Sequence, residues 1–524
     1  MPIPFLNVER RFGILRDYAI GIDIGTTSTK VVLFDERGAA VAHHSKSYPL
    51  LSEEPGSAEQ NPDEIYEAVV YSLRETVRKS GGLAERIGFI SFSTAMHSLI
   101  AVDRDGTPLT KSITWADTRS EPYTASIKGS SDAVDLYKRT GVPLHPMTPL
   151  FKLQWLKNES PDIFRKAASF VGIKDYILYR WFGEWVTDYA SAAATGLWNM
   201  HELTWDEEAL RLAAITPEKL PAIQPTTFYW ETLSETLAKE SGLDPLVKVV
   251  IGATDGPLSN LGVGAISPGD VAVTIGTSGA IRTTSTSPVL DAEGRTFCYP
   301  ITEKHWVSGG PVNNGGLAFQ WIHDLFQKEG ESAYETFSVE AESVEPGAEG
   351  LLFLPYLTGE RAPLWDAQAK GSFIGLTLRH TQKHMVRAVL EGTILNLYSV
   401  YSLIKDHVDD TKAIKIFATG GFTNSPLWKQ ILADVFQTEV SIPEHTESSC
   451  LGAVLLGRFA LGETEWLQEA PMETKQYEKV MPNHENQEIY EELFNLYQSL
   501  SDAMQDQYKA IHDFQNKPKK ESGK

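Results

Sequence analysis

Asp255 ends an apolar run, VKVVIGATDG, with small residues on either side. An acid at the C-terminal end of a buried strand faces the crevice where α/β proteins bind ligands. There a carboxylate can take a proton from a hydroxyl, a role typically worth about 10²–10⁴-fold in rate. On this context alone the same aspartate could equally cap a turn. A second acid, Asp23, closes YAIGIDI and opens the stretch Gly25, Thr26, Thr27, Ser28, Thr29, Lys30. This is not a Walker A loop, because it lacks GxxxxGK[ST] and leads into a strand rather than a helix. Its tight turn can still aim N–H groups and hydroxyls at phosphate oxygens. Asp23 could hold Mg²⁺ through water, in keeping with the waters magnesium retains. A matching turn, GTSG at Gly276, Thr277, Ser278 and Gly279, lies in the second half of the chain. Two such hairpins facing one another can clamp a polyphosphate.

Further polar groups are candidates to bind rather than to react. Gly420 and Gly421 precede a helix that Asn424 or Ser425 would cap, with Pro426 at its start. Paired glycines let a backbone approach a flat or phosphorylated ligand, and a helix N-terminus favours anions. A lone pair of glycines is more often a tight turn. Met96 and His97 come after the strand-like FISFS, and Trp115, Asp117 and Arg119 lie within WADTR. An indole face with a carboxylate and a guanidinium suits a sugar, which needs directed hydrogen bonds and an apolar surface. Taken singly, each of these residues is more often structural.

These groups need elements to position them. YAIGIDIGTTSTKVVLFDERGAAVAHHSKSY has β-branched runs around two turn signals and reads as three antiparallel strands. Asn61 caps a helix begun by Pro62, with Ile65, Ala68, Val69, Leu73 and Val77 on one face. The strand RIGFISFS comes next, and then a turn at DRDG. The order is that of an α/β layered domain. In the second half, DVAVTIGTSGAIRTTS repeats strand, glycine turn, strand, and AIKIFATGGFTNSPLWKQILADVF reads as strand, turn, helix. The shared I-G-T core of the two hairpins suggests a duplicated domain. A boundary within residues 255–268, where Gly, Pro and Ser cluster, divides the chain into 18–262 and 263–484. Residues 1–17 read as an extension, and 485–524 as a C-terminal helical segment ending in a solvated tail.

The length of 524 residues exceeds what one compact core supports. A net charge of -22 argues against nucleic acid or anionic lipid as a partner. Two cysteines, Cys298 and Cys450, give no disulfide framework and no metal spacing, so a reducing cytoplasmic setting is expected. No signal-like h-region is present, and no stretch approaches the ~20 apolar residues of a membrane span. Oligomeric state is not read from the sequence; a homodimer is kept as one option.

The motifs together resemble the FGGY carbohydrate kinases. Two long family signatures are present, one from Met147 to Glu159 and one opening at Gly371 as GSFIGLTLRHTQKHMVRAVLEG. With GIDIGTTSTK, GATDG, GTSG and ATGGF, the similarity runs from about Tyr18 to about Gly457. It implies two actin-like ATPase (ribonuclease H-like) domains with ATP and sugar meeting in the cleft between them. It implies Asp255 as the catalytic base beside Gly256, with Asp23 near Mg²⁺. It places Gly25, Thr26, Thr27, Ser28, Lys30, Gly276, Thr277, Gly316, Gln320, Gly420, Gly421, Asn424 and Ser425 around the nucleotide, and Met96 and His97 at the sugar.

Within the family, FISFSTAMHSLIAVD, ITWADTRSE, RTGVPLHPM and GGPVNNGG look most similar to members that phosphorylate D-gluconate. The acid's carboxylate then needs donors, for which Arg119, Lys152 and His97 are candidates; an Arg would suit it through its bidentate fork. Xylulose or another polyol is the alternative substrate. A non-catalytic actin-like sensor is the remote one, since fold does not fix function.

Overall fold

The computed structural model describes residues 16–326, 340–405, 414–444, 447–465, 467 and 477–517. The extension up to residue 15 and the tail after Lys517 lie outside the described residues. Two sheets carry the site.

Strands β1 (Tyr18–Ile24), β2 (Ser28–Phe34) and β3 (Ala40–Ser47) form the expected antiparallel meander. Helix α1 (Pro62–Lys79) starts where the Asn61 side chain accepts from Asp63 N at 2.9 Å. Strands β4 (Ile87–Thr94) and β5 (Lys248–Thr254) then join parallel to β1 on its other side, giving the order β3-β2-β1-β4-β5. Ile20, Ile22 and Ile24 alternate onto one face of this sheet and meet Ile65, Val69 and Leu73 of α1. Each fully buried side chain of this kind contributes about 1.5–3 kcal/mol.

Helix α2 (Asp255–Val263) continues from β5 and leads to the second sheet. That sheet contains β6 (Val271–Ile275), β7 (Gly279–Ser285), β8 (Phe297–Thr302) and β9 (His305–Val312). Helices α3 (Gly316–Phe326) and α4 (Gln382–Ser402) come next. Strand β10 (Ile416–Thr419), helix α5 (Pro426–Phe436) and strand β11 (Val440–Pro443) complete the unit. The order β9-β7-β6-β10-β11 reproduces that of the first sheet, with the same parallel and antiparallel senses. The two I-G-T turns occupy the same place in the two sheets, between β1 and β2 and between β6 and β7. A duplicated α/β unit accounts for both.

Helix α6 (Ser448–Ala460) departs from the division drawn on the sequence. Residues 448–460 lie within the span 263–484, yet they pack on the first sheet, where Cys450 and Val454 meet Ala19, Val32, Phe34, Phe89 and Val250. On that sheet α6 crosses α2 with backbones in contact. A methyl on Gly262 would lie 1.8 Å from Ser448 O, and one on Gly452 would lie 1.9 Å from Leu258 O. Only side-chain-free backbone allows that approach. The two bodies are thus joined by a pair of closely crossed helices rather than by a linker.

The segment after residue 484 is likewise not an appendage. Helix α7 (Gln487–Gln515) buries Tyr490, Leu493, Tyr497 and Tyr508 in the core of the second body.

Candidate active site

Asp255 is the first residue of α2, at the end of β5. The pairing of β5 with β4 shifts register between Val250 and Ala253. Such a bulge bends a strand and re-aims the residues beyond it. The Asp255 side chain is half-buried, and one carboxylate oxygen accepts from Gly256 N at 2.8 Å. Burial and the nearby Asp23 charge push its carboxyl up to about 7, against the opposing pull of Arg282. A base poised near neutrality is suited to proton abstraction at working pH.

Asp23 is fixed by Ser93, whose hydroxyl donates to it at 2.6 Å, and burial raises its carboxyl too. No group of three or more His, Cys, Asp or Glu that could hold a metal occurs among the described residues. One firmly oriented carboxylate beside a second still fits Mg²⁺, which keeps most of its shell as water and substrate phosphate. Lys30, expected at the phosphates, forms an ion pair with Glu447 at 2.8 Å and remains partly exposed.

In the second body, Gly276, Thr277, Gly316, Gln320, Gly421, Asn424 and Ser425 all line one cavity of about 490 Å³ floored by Phe319, Phe422 and Trp428. The adjacent glycines have different duties. Gly420 holds φ 109°, and a methyl there would meet Ile275 O at 2.2 Å, whereas a methyl on Gly421 would meet nothing within 4 Å. The first glycine makes the turn; the second keeps the cavity open. Ser425, not Asn424, caps α5, accepting from Trp428 N at 3.3 Å. Gly25, Thr26, Thr27 and Ser28 do not line this cavity. Their turn closes with Gly25 N donating to Ser28 O at 3.0 Å, as Gly276 N does to Ser278 O at 2.9 Å.

Beyond Asp255 lies a polar corner. A methyl on Gly256 would come within 2.9 Å of Met96 Cε and 3.4 Å of Arg282 Nε, so these three residues meet. His97 holds φ 67°, and its Nδ1 donates to Ala194 O at 2.6 Å. Burial, with the Lys152 and Arg361 charges, pushes it down to about 3. The ring is therefore neutral, and its Nε2 is an acceptor. Trp115 Nε1 donates to Thr26 Oγ1 at 2.8 Å, and the Arg361 guanidinium lies 5.1 Å from the centre of the indole. That cation–π contact crosses from one body to the other.

The structure does not offer Asp117, Arg119 or Lys152 to a ligand. Asp117 is buried and accepts from Ala58 N at 3.0 Å and from the Arg119 side chain. Arg119 pairs with Asp117 and Glu59 through Nε and Nη2 and stacks 4.1 Å from the Trp155 ring, so these donors hold the fold. Lys152 Nζ donates to His97 O, Thr114 O and Ile113 O at 2.6, 2.7 and 3.3 Å. All three of its protons are used on backbone. Of the proposed carboxylate donors, only His97 remains at the corner, and as a neutral ring.

Other residues there were not singled out from the sequence. Arg361 donates to Asn313 Oδ1 at 2.7 Å and Val312 O at 3.2 Å. Buried Glu360 accepts from the backbone of Asn313 and Arg361 and from Asn314 and Asn396 side chains, tying the two loops together. His145 accepts from Met147 N at 3.1 Å through Nδ1, and burial with the Arg361 charge pushes it down to about 3. Its Nε2–H is then a donor, complementary to the acceptor on His97. Arg282 was legible in principle: it is the one charged residue in β7, and period-two alternation sets it opposite the core-facing Ile281.

The chain matches models of the FGGY family of carbohydrate kinases, the N-terminal domain over residues 18–262 and the C-terminal domain over 271–461. It is 47% identical to the gluconokinase of Bacillus subtilis (strain 168), over 96% of this chain and 99% of that one. Among solved structures it is similar to a gluconate kinase from Lactobacillus acidophilus, with TM-score 0.90, 41% identity, and coverage of 94% of this chain and 99% of that one. A ligand-bound xylulose kinase from Lactobacillus acidophilus is comparably similar, with TM-score 0.89, 40% identity and the same coverage.

Proposed function

The chain belongs to the FGGY family of carbohydrate kinases, and on that premise we propose that it transfers the γ-phosphoryl group of ATP to D-gluconate, giving ADP and 6-phospho-D-gluconate. The observation that carries the substrate is the 47% identity to a gluconokinase along nearly the whole of both chains.

The half-buried carboxylate of Asp255 supports the chemistry. One of its oxygens is held by Gly256 N, which leaves the other for the substrate's terminal hydroxyl. As that oxygen forms its bond to the γ-phosphorus, the bond from phosphorus to the β–γ bridging oxygen breaks. The hydroxyl proton passes to Asp255, and ADP leaves. In phosphoryl transfer most of the remaining acceleration comes from positioning and charge neutralisation. Asp23, fixed by Ser93, is the residue to hold Mg²⁺ through water, and the ion's contribution is to neutralise phosphate charge. The cavity lined by Thr277, Gln320 and Gly421 receives the nucleotide, and its apolar floor suits a base. His97, as acceptor, and His145, as donor, orient sugar hydroxyls. No helix among the described residues is long and apolar enough to cross a membrane, and a cytoplasmic enzyme is part of the reading. A homodimer is carried with it and is read by light scattering.

The similarity to a xylulose kinase structure favours a second acceptor, D-xylulose. A coupled assay with gluconate, xylulose, ribulose and glycerol tests both. Turnover of gluconate with the highest kcat/KM is expected. Turnover of xylulose or glycerol with none of gluconate would overturn the substrate and leave the chemistry standing.

A further inference from the structure

Among the described residues of the polar corner, one cation makes no hydrogen bond at all. Lys152 is spent on three carbonyls, and Arg119 on Asp117 and Glu59. Arg361 is anchored by Asn313 and Val312. Arg282 differs from all of them. Its Nε and Nη1 are buried and make no hydrogen bond, and no ion pair within 4.0 Å involves it among the described residues. Asp255 acts on it only through space, beyond ion-pair distance. A guanidinium withdrawn from water without a hydrogen-bonding partner is costly, and the cost is relieved by an anion that arrives with its own oxygens.

Its position says which anion. Arg282 lies on β7, the strand that leaves the Gly276–Gly279 turn. It stands three residues into that strand from Gly279, about 10 Å along it at ~3.3 Å per residue. Thr277 lines the nucleotide cavity, and Arg282 does not. The Arg282 side chain instead lies against Gly256, the neighbour of Asp255, where Met96 also packs. A neutral sugar brings no anion to that place; a sugar acid brings its carboxylate.

We propose that Arg282 binds the carboxylate of the acceptor and sets the preference for a sugar acid over a neutral polyol. This rests on the kinase reading above and deepens it. Arg361, 5.1 Å from the centre of the Trp115 ring, adds a second positive charge close enough to act on Arg282 electrostatically.

The test compares D-gluconate with D-glucitol, the same chain with an alcohol in place of the carboxylate. kcat/KM for each is measured with wild type, Arg282→Gln and Arg282→Lys. Binding of a non-hydrolysable ATP analogue reports folding. For Arg282→Gln the expected result is a rise in KM for gluconate of about 10²-fold, the size of a lost hydrogen-bonded charge pair. The gluconate-to-glucitol ratio should fall by a similar factor, and Arg282→Lys should recover part of it. Rates are compared at a pH above the acid limb of each variant, since Arg282 also favours the charged form of Asp255. There, a parallel loss of kcat on both acceptors would overturn the proposal and assign Arg282 to the transferring phosphoryl group. An unchanged KM for gluconate would overturn it as well. If Arg282→Gln does not bind the ATP analogue, Arg282→Lys decides: a raised KM with kcat held supports the proposal, and an unchanged KM overturns it. Absence of wild-type turnover of gluconate would be a separate failure, that of the substrate reading itself.

Discussion

Lys152 donates to the backbone carbonyl of His97 at 2.6 Å, and the same ammonium reaches Thr114 O at 2.7 Å. A buried cation thus props the loop bearing the Met96–His97 pair against the loop bearing Trp115. Its three carbonyls would be left without a donor in Lys152→Met, at about 1–3 kcal/mol for each unsatisfied buried group. The expected outcome is a fall in Tm by scanning calorimetry. Arg119→Gln should also lower Tm while leaving KM for gluconate within about threefold of wild type, because a committed ion pair supports the fold rather than the ligand. A selective rise in KM for gluconate in Arg119→Gln would return that residue to the binding site.

Asp255→Asn removes the proton acceptor and keeps the shape. Turnover should fall by about 10²–10⁴-fold, with the Kd for a non-hydrolysable ATP analogue within about twofold of wild type. The loss belongs to the transition state, where the proton moves, and not to nucleotide binding. Steady-state kinetics and calorimetric titration read the two quantities.

The elevated Asp255 carboxyl fixes the sign of the pH dependence. The base works deprotonated, so kcat/KM should decline as pH falls through about 7, losing about tenfold per unit once well below it. Arg282 favours the charged carboxylate. Its replacement by Gln therefore moves the acid limb to higher pH. A pH–rate profile with a flat acid limb down to about pH 5 would contradict the assignment of Asp255 as base.

Gly420 and Gly421 should respond oppositely to an added side chain. Gly420→Ala strains a turn at φ 109° against Ile275 O, and a loss of about 1–3 kcal/mol of stability is expected. Gly421→Leu fills open space in the nucleotide cavity. It should leave Tm unchanged and raise KM for ATP about tenfold, the factor given by about 1.4 kcal/mol of lost binding. Thermal denaturation and ATP titration of the two variants separate these effects.

Much of the architecture was open to a reading of local pattern. Period-two runs and glycine turns marked β1, β2, β6 and β7, and the Asn61 and Ser425 caps marked the starts of α1 and α5. The acid after VKVVIGAT and the glycines Gly276 and Gly421 that line the second body's cavity were visible for the same reason, since turn chemistry is written in consecutive residues; Gly316 came only with the family resemblance. What the sequence could not carry were contacts between distant segments. The packing of α6 on the first sheet depends on Gly262 and Gly452 meeting across nearly two hundred positions, which no local pattern records. The duties of cations near the sugar corner were decided the same way. Arg119, Lys152 and Arg282 are alike as residue types, and each has a side chain long enough to reach a carboxylate. Only the folded neighbours determine that the first is held by Asp117 and Glu59 and the second by three carbonyls, while the third keeps buried donors unused. A charge is available to a ligand only after the protein's own acceptors have been counted, and that count exists only in three dimensions.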